Sequence, residues 1–417
     1  MSDGSRANDA KPETRLSSYQ KQLLLFLSIA SFFEGYDFYA LSQLLPNLRA
    51  DLHVSMIGGG RLVSFINCGT ILAFVLARRA DRWGRKPVLT VTIAGYTLFT
   101  FASGLAPNVY LFGLLQMVAR IFLIAEWATS MVIAAEEFPA RGRGTVVGVV
   151  SAASGFGAIV CAGVVPVLLK THFGWRSVYF VSLVPLLMLA YARRGLRETE
   201  RFAKRDVAVA EKGLFEVWRT KHRRRVLELA VIWFLTYVCT QNAVTFWKEF
   251  AMSERGMSDA QVASAIKLGA LASMPLAFAA GKMLDVIGRK IGATLIFVCT
   301  IVGVFGAYTA HGALNLTLYL VLAMLGVNTV LTVLNAFTAE LFPTEYRGAA
   351  FAWSNNLIGR IGYCISPIIV TELSSTYHLG LGPTMAASTL FPLLALVVIW
   401  LVLPETTGRE LEQTARL

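Results

Sequence analysis

Apolar residues along this chain gather into twelve long runs separated by polar breaks, at residues 22–45, 57–78, 87–106, 109–134, 144–169, 176–192, 227–251, 260–281, 291–310, 314–338, 349–373 and 383–403. At 1.5 Å per helical residue, such runs match a hydrocarbon layer about 30 Å thick. A segment crossing lipid must satisfy its backbone internally, so each run is read as a helix. The pattern predicts an all-α membrane protein with twelve transmembrane helices, spans 1 to 12. Most connections are short. The exception, 193–226, divides the chain into an N-terminal tail (1–21), a six-helix bundle (22–192), a basic linker (193–226), a second six-helix bundle (227–403) and a C-terminal tail (404–417). The polar N-terminal stretch holds no apolar core of a cleavable signal peptide.

Composition removes the soluble readings. The chain is 55% hydrophobic and 15% charged, whereas a soluble domain carries about a quarter charged residues. A net charge of +12 would suggest nucleic acid in a soluble protein, but here the basic residues sit between spans. Arg78, Arg79, Arg82, Arg85 and Lys86 follow span 2, the linker is rich in arginine and lysine, and Lys282, Arg289 and Lys290 follow span 8. Odd-numbered connections hold almost none. The positive-inside bias therefore places both termini and the linker in the cytoplasm, facing anionic lipid, with no nucleic-acid partner. Short loops suit a bacterial inner membrane. The five cysteines (Cys68, Cys161, Cys239, Cys299 and Cys364) stand singly in apolar runs. They read as small packing residues, with no disulfide, metal or cofactor expected.

The two bundles are duplicates. Residues 77–86, Ala-Arg-Arg-Ala-Asp-Arg-Trp-Gly-Arg-Lys, return as 281–290, Gly-Lys-Met-Leu-Asp-Val-Ile-Gly-Arg-Lys. Residues 136–144, Glu-Glu-Phe-Pro-Ala-Arg-Gly-Arg-Gly, return as 340–348, Glu-Leu-Phe-Pro-Thr-Glu-Tyr-Arg-Gly. Asp81 to Asp285 and Arg143 to Arg347 share one offset of 204 residues, the mark of an internal repeat.

These paired loops resemble the signature loops of the major facilitator superfamily, and the resemblance covers about residues 20–410. Within it, Glu34-Gly35-Tyr36-Asp37-Phe38 in span 1 is similar to the proton-coupled metabolite and organic-acid symporters. Ala125-Glu126-Trp127 in span 4 and Gly359-Arg360-Ile361-Gly362 in span 11 fit the same group. Pro404-Glu405-Thr406-Thr407-Gly408 resembles a tail motif of sugar porters. One departure is Ala77, where the signature loop usually begins with glycine. The resemblance implies a major facilitator fold in which spans 1, 4, 7 and 10 line a central cavity and spans 2, 5, 8 and 11 flank it. It also implies that the loop residues Asp81, Arg85, Arg143, Asp285, Arg289 and Arg347 latch one state of a transport cycle.

Candidate chemistry lies in mid-span. Glu34 and Asp37 are three apart, on one side of a helix, and a carboxylate at the bilayer centre costs about 2.5–3.5 kcal/mol. Asp37, Glu34 and Glu126 are the proton-coupling candidates; a lasting ion pair with Arg120 is the plainer alternative. Arg120 and Arg360 stay charged and can grip a carboxylate through paired hydrogen bonds. Asn356 and Tyr363 are expected on the face of Arg360. Tyr36, Trp127, Tyr237, Gln241, Asn242 and Asn328 complete the proposed substrate contacts. Lys248 and Glu249 are expected at the membrane interface.

No Gly-x-x-x-x-Gly-Lys-Ser/Thr loop, His-Glu-x-x-His pair or Gly-x-Ser-x-Gly elbow occurs, so neither a nucleotide-driven pump nor a hydrolase is indicated. Span 5 is rich in small residues and lacks the glycine–proline signature of drug–proton antiporters. The sequence thus predicts a monomeric secondary active transporter, not an enzyme, moving a small organic anion with protons by alternating access. The alternatives are a zwitterionic, cationic or sugar-like cargo, or uncoupled facilitation.

Overall fold

The structure, a computed structural model, describes residues 16–138, 140–192 and 214–406. All regular secondary structure among these residues is helical. The first bundle holds α1 (Ser18–Asp51), α2 (Met56–Trp83), α3 (Arg85–Gly104), α4 (Val109–Glu137), α5 (Ala140–Leu168), α6 (Arg176–Phe180) and α7 (Leu183–Ala192). The second holds α8 (Arg223–Thr245), α9 (Trp247–Ser253), α10 (Asp259–Ile287), α11 (Arg289–Thr309), α12 (Ala313–Glu340), α13 (Thr344–Phe351), a π-helical segment (Ala352–Gly359), α14 (Arg360–Thr376), α15 (Leu381–Ser388) and α16 (Leu390–Val402). Ten helical spans among the described residues are long and apolar enough to cross a membrane. Where spans 6 and 8 are predicted, the chain forms the broken pair α6–α7 and the 29-residue α10.

The sequence repeat is also a conformational repeat. Ser55 caps α2 by accepting the Gly58 amide hydrogen, and Ser258 caps α10 by accepting that of Gln261. Each cap satisfies a donor that a helix start leaves open. Gly84 and Gly288 end those helices at φ 98° and 97°, a region that disfavours side chains with a Cβ. After each turn an arginine forks onto a glutamate of the same bundle. Arg85 reaches Glu136 at 3.1 and 3.3 Å, and Arg289 reaches Glu340 at 2.8 and 3.1 Å. Glu405 accepts the amide hydrogens of Arg289 and Lys290, both at 2.9 Å, a carboxylate on the positive end of α11. The tail motif thus ties the end of the chain to the second loop pair.

Within each bundle the central crossing depends on glycine. A Cβ at Gly35 would overlap the Ser154 carbonyl, and one at Gly157 would overlap the Phe32 carbonyl. Small residues let the backbones of α1 and α5 touch, which is how helices associate closely in lipid. The matching crossing in the second bundle sets Gly359 against Trp233 and Gly362 against Phe234 of α8.

The bundles meet along α2 with α14 and along α5 with α10. Among the described residues, the ion pairs joining the two bundles lie at one end, where α1 turns into α2. Arg49 pairs with Glu249, both largely buried, and Arg61 pairs with Glu372 at 2.8 Å. Lys248 is only 3% exposed and pairs with Asp259 at 2.8 Å. Lys248 and Glu249, expected at the membrane interface, are thus packed inside the protein at this end of the bundles. The chain breaks at Phe246, and α9 turns both residues inward against α1 and α10.

The α1–α5 contact supplies a paired test. Gly157→Ala should destabilise the detergent-solubilised protein by about 1–3 kcal/mol, the range for overfilling a packed contact, seen as a lower melting temperature. Gly155→Ala, whose Cβ would meet nothing within 4 Å, should leave the melting temperature unchanged.

Candidate functional site

The close crossing of α1 and α5 places Ser154 beside Glu34, and its hydroxyl donates to Glu34 Oε2 at 2.7 Å. Asp37, one turn on, is 7% exposed, and neither of its carboxylate oxygens has a hydrogen-bond partner. Arg120 comes from α4, which packs on α2 through Gly69. Its guanidinium lies 4.7 Å from the Phe38 ring centroid, within cation–π range, and its Nη1 is buried without a partner. Arg120 acts electrostatically on both Glu34 and Asp37, yet no ion pair closes between them among the described side chains.

Glu126 is fully buried lower on α4. Ser130 donates to its Oε1 at 2.6 Å, while Oε2 has no partner. It lies within electrostatic reach of Glu34 and of Tyr96, whose buried hydroxyl is also unpartnered. Tyr96, on α3, was not expected in this cluster, because a tyrosine in an apolar run carries no sequence signal distinguishing it from core.

The second bundle answers with Arg360, the first residue after the π-helical segment. Its Nη1 reaches the Thr70 carbonyl at 3.5 Å and its Nε has no partner. Tyr363 is buried with a free hydroxyl, and its ring meets that of Tyr237 edge-on at 5.5 Å. Both Arg120 and Arg360 lie within electrostatic range of Tyr363. Asn67 of α2 fixes this point across the interface, donating to the Tyr363 carbonyl at 3.2 Å.

The π-helical segment changes which amide faces the site. Tyr237 donates to Asn355 Oδ1 at 2.9 Å, while Asn356 is half-buried. Counting by ordinary helical turns pairs Asn356 with Arg360; the wider i→i+5 turn brings Asn355 onto that side as well. Asn355 is thus a residue that the sequence reading missed.

The other candidates are more dispersed. Tyr36 is buried and its hydroxyl reaches the Val178 carbonyl at 3.5 Å, tying α1 to α6. Asn242 is fully buried, donates to Val238 of its own helix at 2.9 Å, and accepts Tyr308 through its backbone carbonyl at 3.3 Å. Gln241 donates to Thr245 at 3.2 Å on its own helix, and Asn328 donates to Ser273 of α10 at 3.3 Å. Trp127 is 39% exposed. Arg347 donates to the Phe342 carbonyl at 3.3 Å, leaving Nε unpartnered. The side chains of Asp81, Arg143 and Asp285 lie outside the described set.

Comparison with known proteins gives this arrangement a context. The cis,cis-muconate transport protein of Acinetobacter baylyi is 27% identical over 91% of this chain and 94% of its own length. The sialic acid transporter NanX of Escherichia coli is 24% identical over 91% of this chain and 93% of its own. In fold, the inward open conformation of the xylose transporter XylE from E. coli superposes with a TM-score of 0.75 at 17% identity, covering 95% of this chain and 99% of that one. The family profile described as Major Facilitator Superfamily matches residues 27–367. This chain, an integral multi-pass membrane transporter and not an enzyme, belongs to the Major Facilitator Superfamily.

Proposed function

We propose that the protein carries a small organic anion together with protons, by symport, across a bacterial inner membrane with both termini cytoplasmic. One observation carries the reading. Asp37, Arg120 and Arg360 are charged groups within the spans whose side chains retain unpartnered polar atoms. Charges left this way are costly unless a ligand or proton completes them. Arg120 and Arg360 come from opposite bundles, so a carboxylate held between them would favour the state in which the bundles converge. Protonation of Asp37 removes the negative charge that competes for Arg120, which makes proton and anion binding mutually dependent. Glu34, and Glu126 below it, give the proton acidic positions along α1 and α4. The gating-loop residues, including Arg143 and Arg347, govern the rate of the change rather than cargo choice. Transport of muconate and of sialic acid by similar proteins supports an organic acid as the cargo.

Uptake into proteoliposomes across a panel of monocarboxylates, dicarboxylates and sugar acids, with the interior made alkaline, tests the reading. Accumulation should follow the imposed gradient and collapse when a protonophore dissipates it; accumulation indifferent to the gradient rejects symport. Asp37→Asn should abolish gradient-driven accumulation while counterflow persists, because exchange needs the carrier but no net proton movement. Arg360→Lys removes the planar fork and should raise KM about 10–100-fold, as for the loss of about 1.5–3 kcal/mol in a charge-assisted hydrogen bond. An unchanged KM there would reject the anion grip.

A further inference from the structure

Along the seam between the bundles, α2 and α14 run antiparallel in a regular register. Arg61 pairs with Glu372, Asn67 with Tyr363 and Thr70 with Arg360, numbers rising on one helix as they fall on the other, and Gly60 packs on Thr371 at the same end as the ion pair. The same register sets Cys68 opposite Cys364. The bonds from Asn67 to the Tyr363 carbonyl and from Arg360 to the Thr70 carbonyl bracket Cys68, and the first lies one residue from each cysteine, which brings the two cysteine positions together across the seam. Nearly three hundred positions separate the two cysteines, so their spacing offered no hint of a pair. Cys68 is exposed on the same outward stripe of α2 as Phe65 and Leu72, the face an apolar span turns to lipid, while Cys364 is buried behind it.

We propose that Cys68 and Cys364 form an oxidation site that joins the two bundles covalently and arrests the carrier in the conformation seen here. The oxidant class suited to the lipid-facing thiol is an organic hydroperoxide dissolved in the membrane. Cys68 Sγ attacks the terminal peroxide oxygen, the O–O bond breaks, and the products are a sulfenic acid and an alcohol. Cys364 Sγ then displaces that hydroxyl, forming the disulfide and releasing water. Two S–H bonds are lost, one S–S bond is gained, and the two electrons reduce the peroxide. A thiol reductant reverses the step. Because the bond ties α2 to α14 midway along the seam, the Arg61–Glu372 end can no longer part as alternating access requires. The arrest is independent of which cargo the carrier moves.

The test uses the full chain in proteoliposomes and cumene hydroperoxide as the probe, followed by alkylation and digestion without reductant. A peptide pair joined through Cys68 and Cys364 is expected, released by dithiothreitol and missing from C68S and C364S; C68A serves if a serine variant fails to fold. Hydrogen exchange supplies the functional readout. Amides of residues 45–60 and 370–385 should exchange about tenfold more slowly in the oxidised protein than in the reduced one, with no slowing in treated C68S. Recovery of both cysteines alkylated after oxidant, or a disulfide that leaves exchange at these amides unchanged, overturns the proposal.

Discussion

A charged side chain without partners in the interior of a membrane protein costs several kcal/mol, and most of this architecture arranges such groups. Asp37 and Arg120 share one bundle without closing an ion pair, and Arg360 belongs to the other, each with an unpartnered polar atom. Closing Asp37 onto Arg120 would lower the energy of one state and deepen it at the expense of exchange. Holding the groups apart requires stiff supports. The glycine contacts between α1 and α5, and Phe38 under the Arg120 guanidinium, provide them.

The two ends of the molecule treat charge differently. Where α1 turns into α2, ion pairs join one bundle to the other, and the Arg49–Glu249 pair is shielded from water. At the opposite end, the described pairs Arg85–Glu136 and Arg289–Glu340 each stay inside one bundle, with Glu405 and Thr406 reinforcing the second. Interactions within a bundle move with it and do not oppose rocking. Interactions between bundles must break for the structure to reverse. Among the described residues, the ion pairs that would have to break stand at the α1–α2 end.

Much of this could be read from residue order. Apolar run length gave the helices, and the shared offset of Asp81–Asp285 and Arg143–Arg347 gave the duplication, which reappears in the matched φ of Gly84 and Gly288. What failed to show depends on departures from the regular helix or on distant contact. Periodicity cannot announce a π-helical segment, so the contact of Asn355 with Tyr237 went unread. The break at Phe246 turns Lys248 and Glu249 inward, although their neighbours in sequence suggest a span end. Cys68 and Cys364 stand opposite one another only because the two bundles dock in one register.

Duplication also explains why the site is divided as it is. Each bundle closes its central crossing on glycine, Gly35 and Gly157 from the two helices of one, Gly359 and Gly362 from a single side of the crossing in the other. Equal chemistry would defeat the purpose, however. Two acidic bundles would repel a carboxylate, and two arginine-bearing bundles without an acid would bind it in every state. For the proposed symport, Glu34, Asp37 and Glu126 stand with Arg120 in one bundle and Arg360 with Tyr363 in the other, so an anion site shared by the two arginines would be complete only when the bundles converge. In that proposal the proton would act on the first bundle alone. A carrier coupled in this way needs symmetry in its backbone and asymmetry in its charges, and the sequence of each repeat keeps the former in its loops and the latter in mid-span.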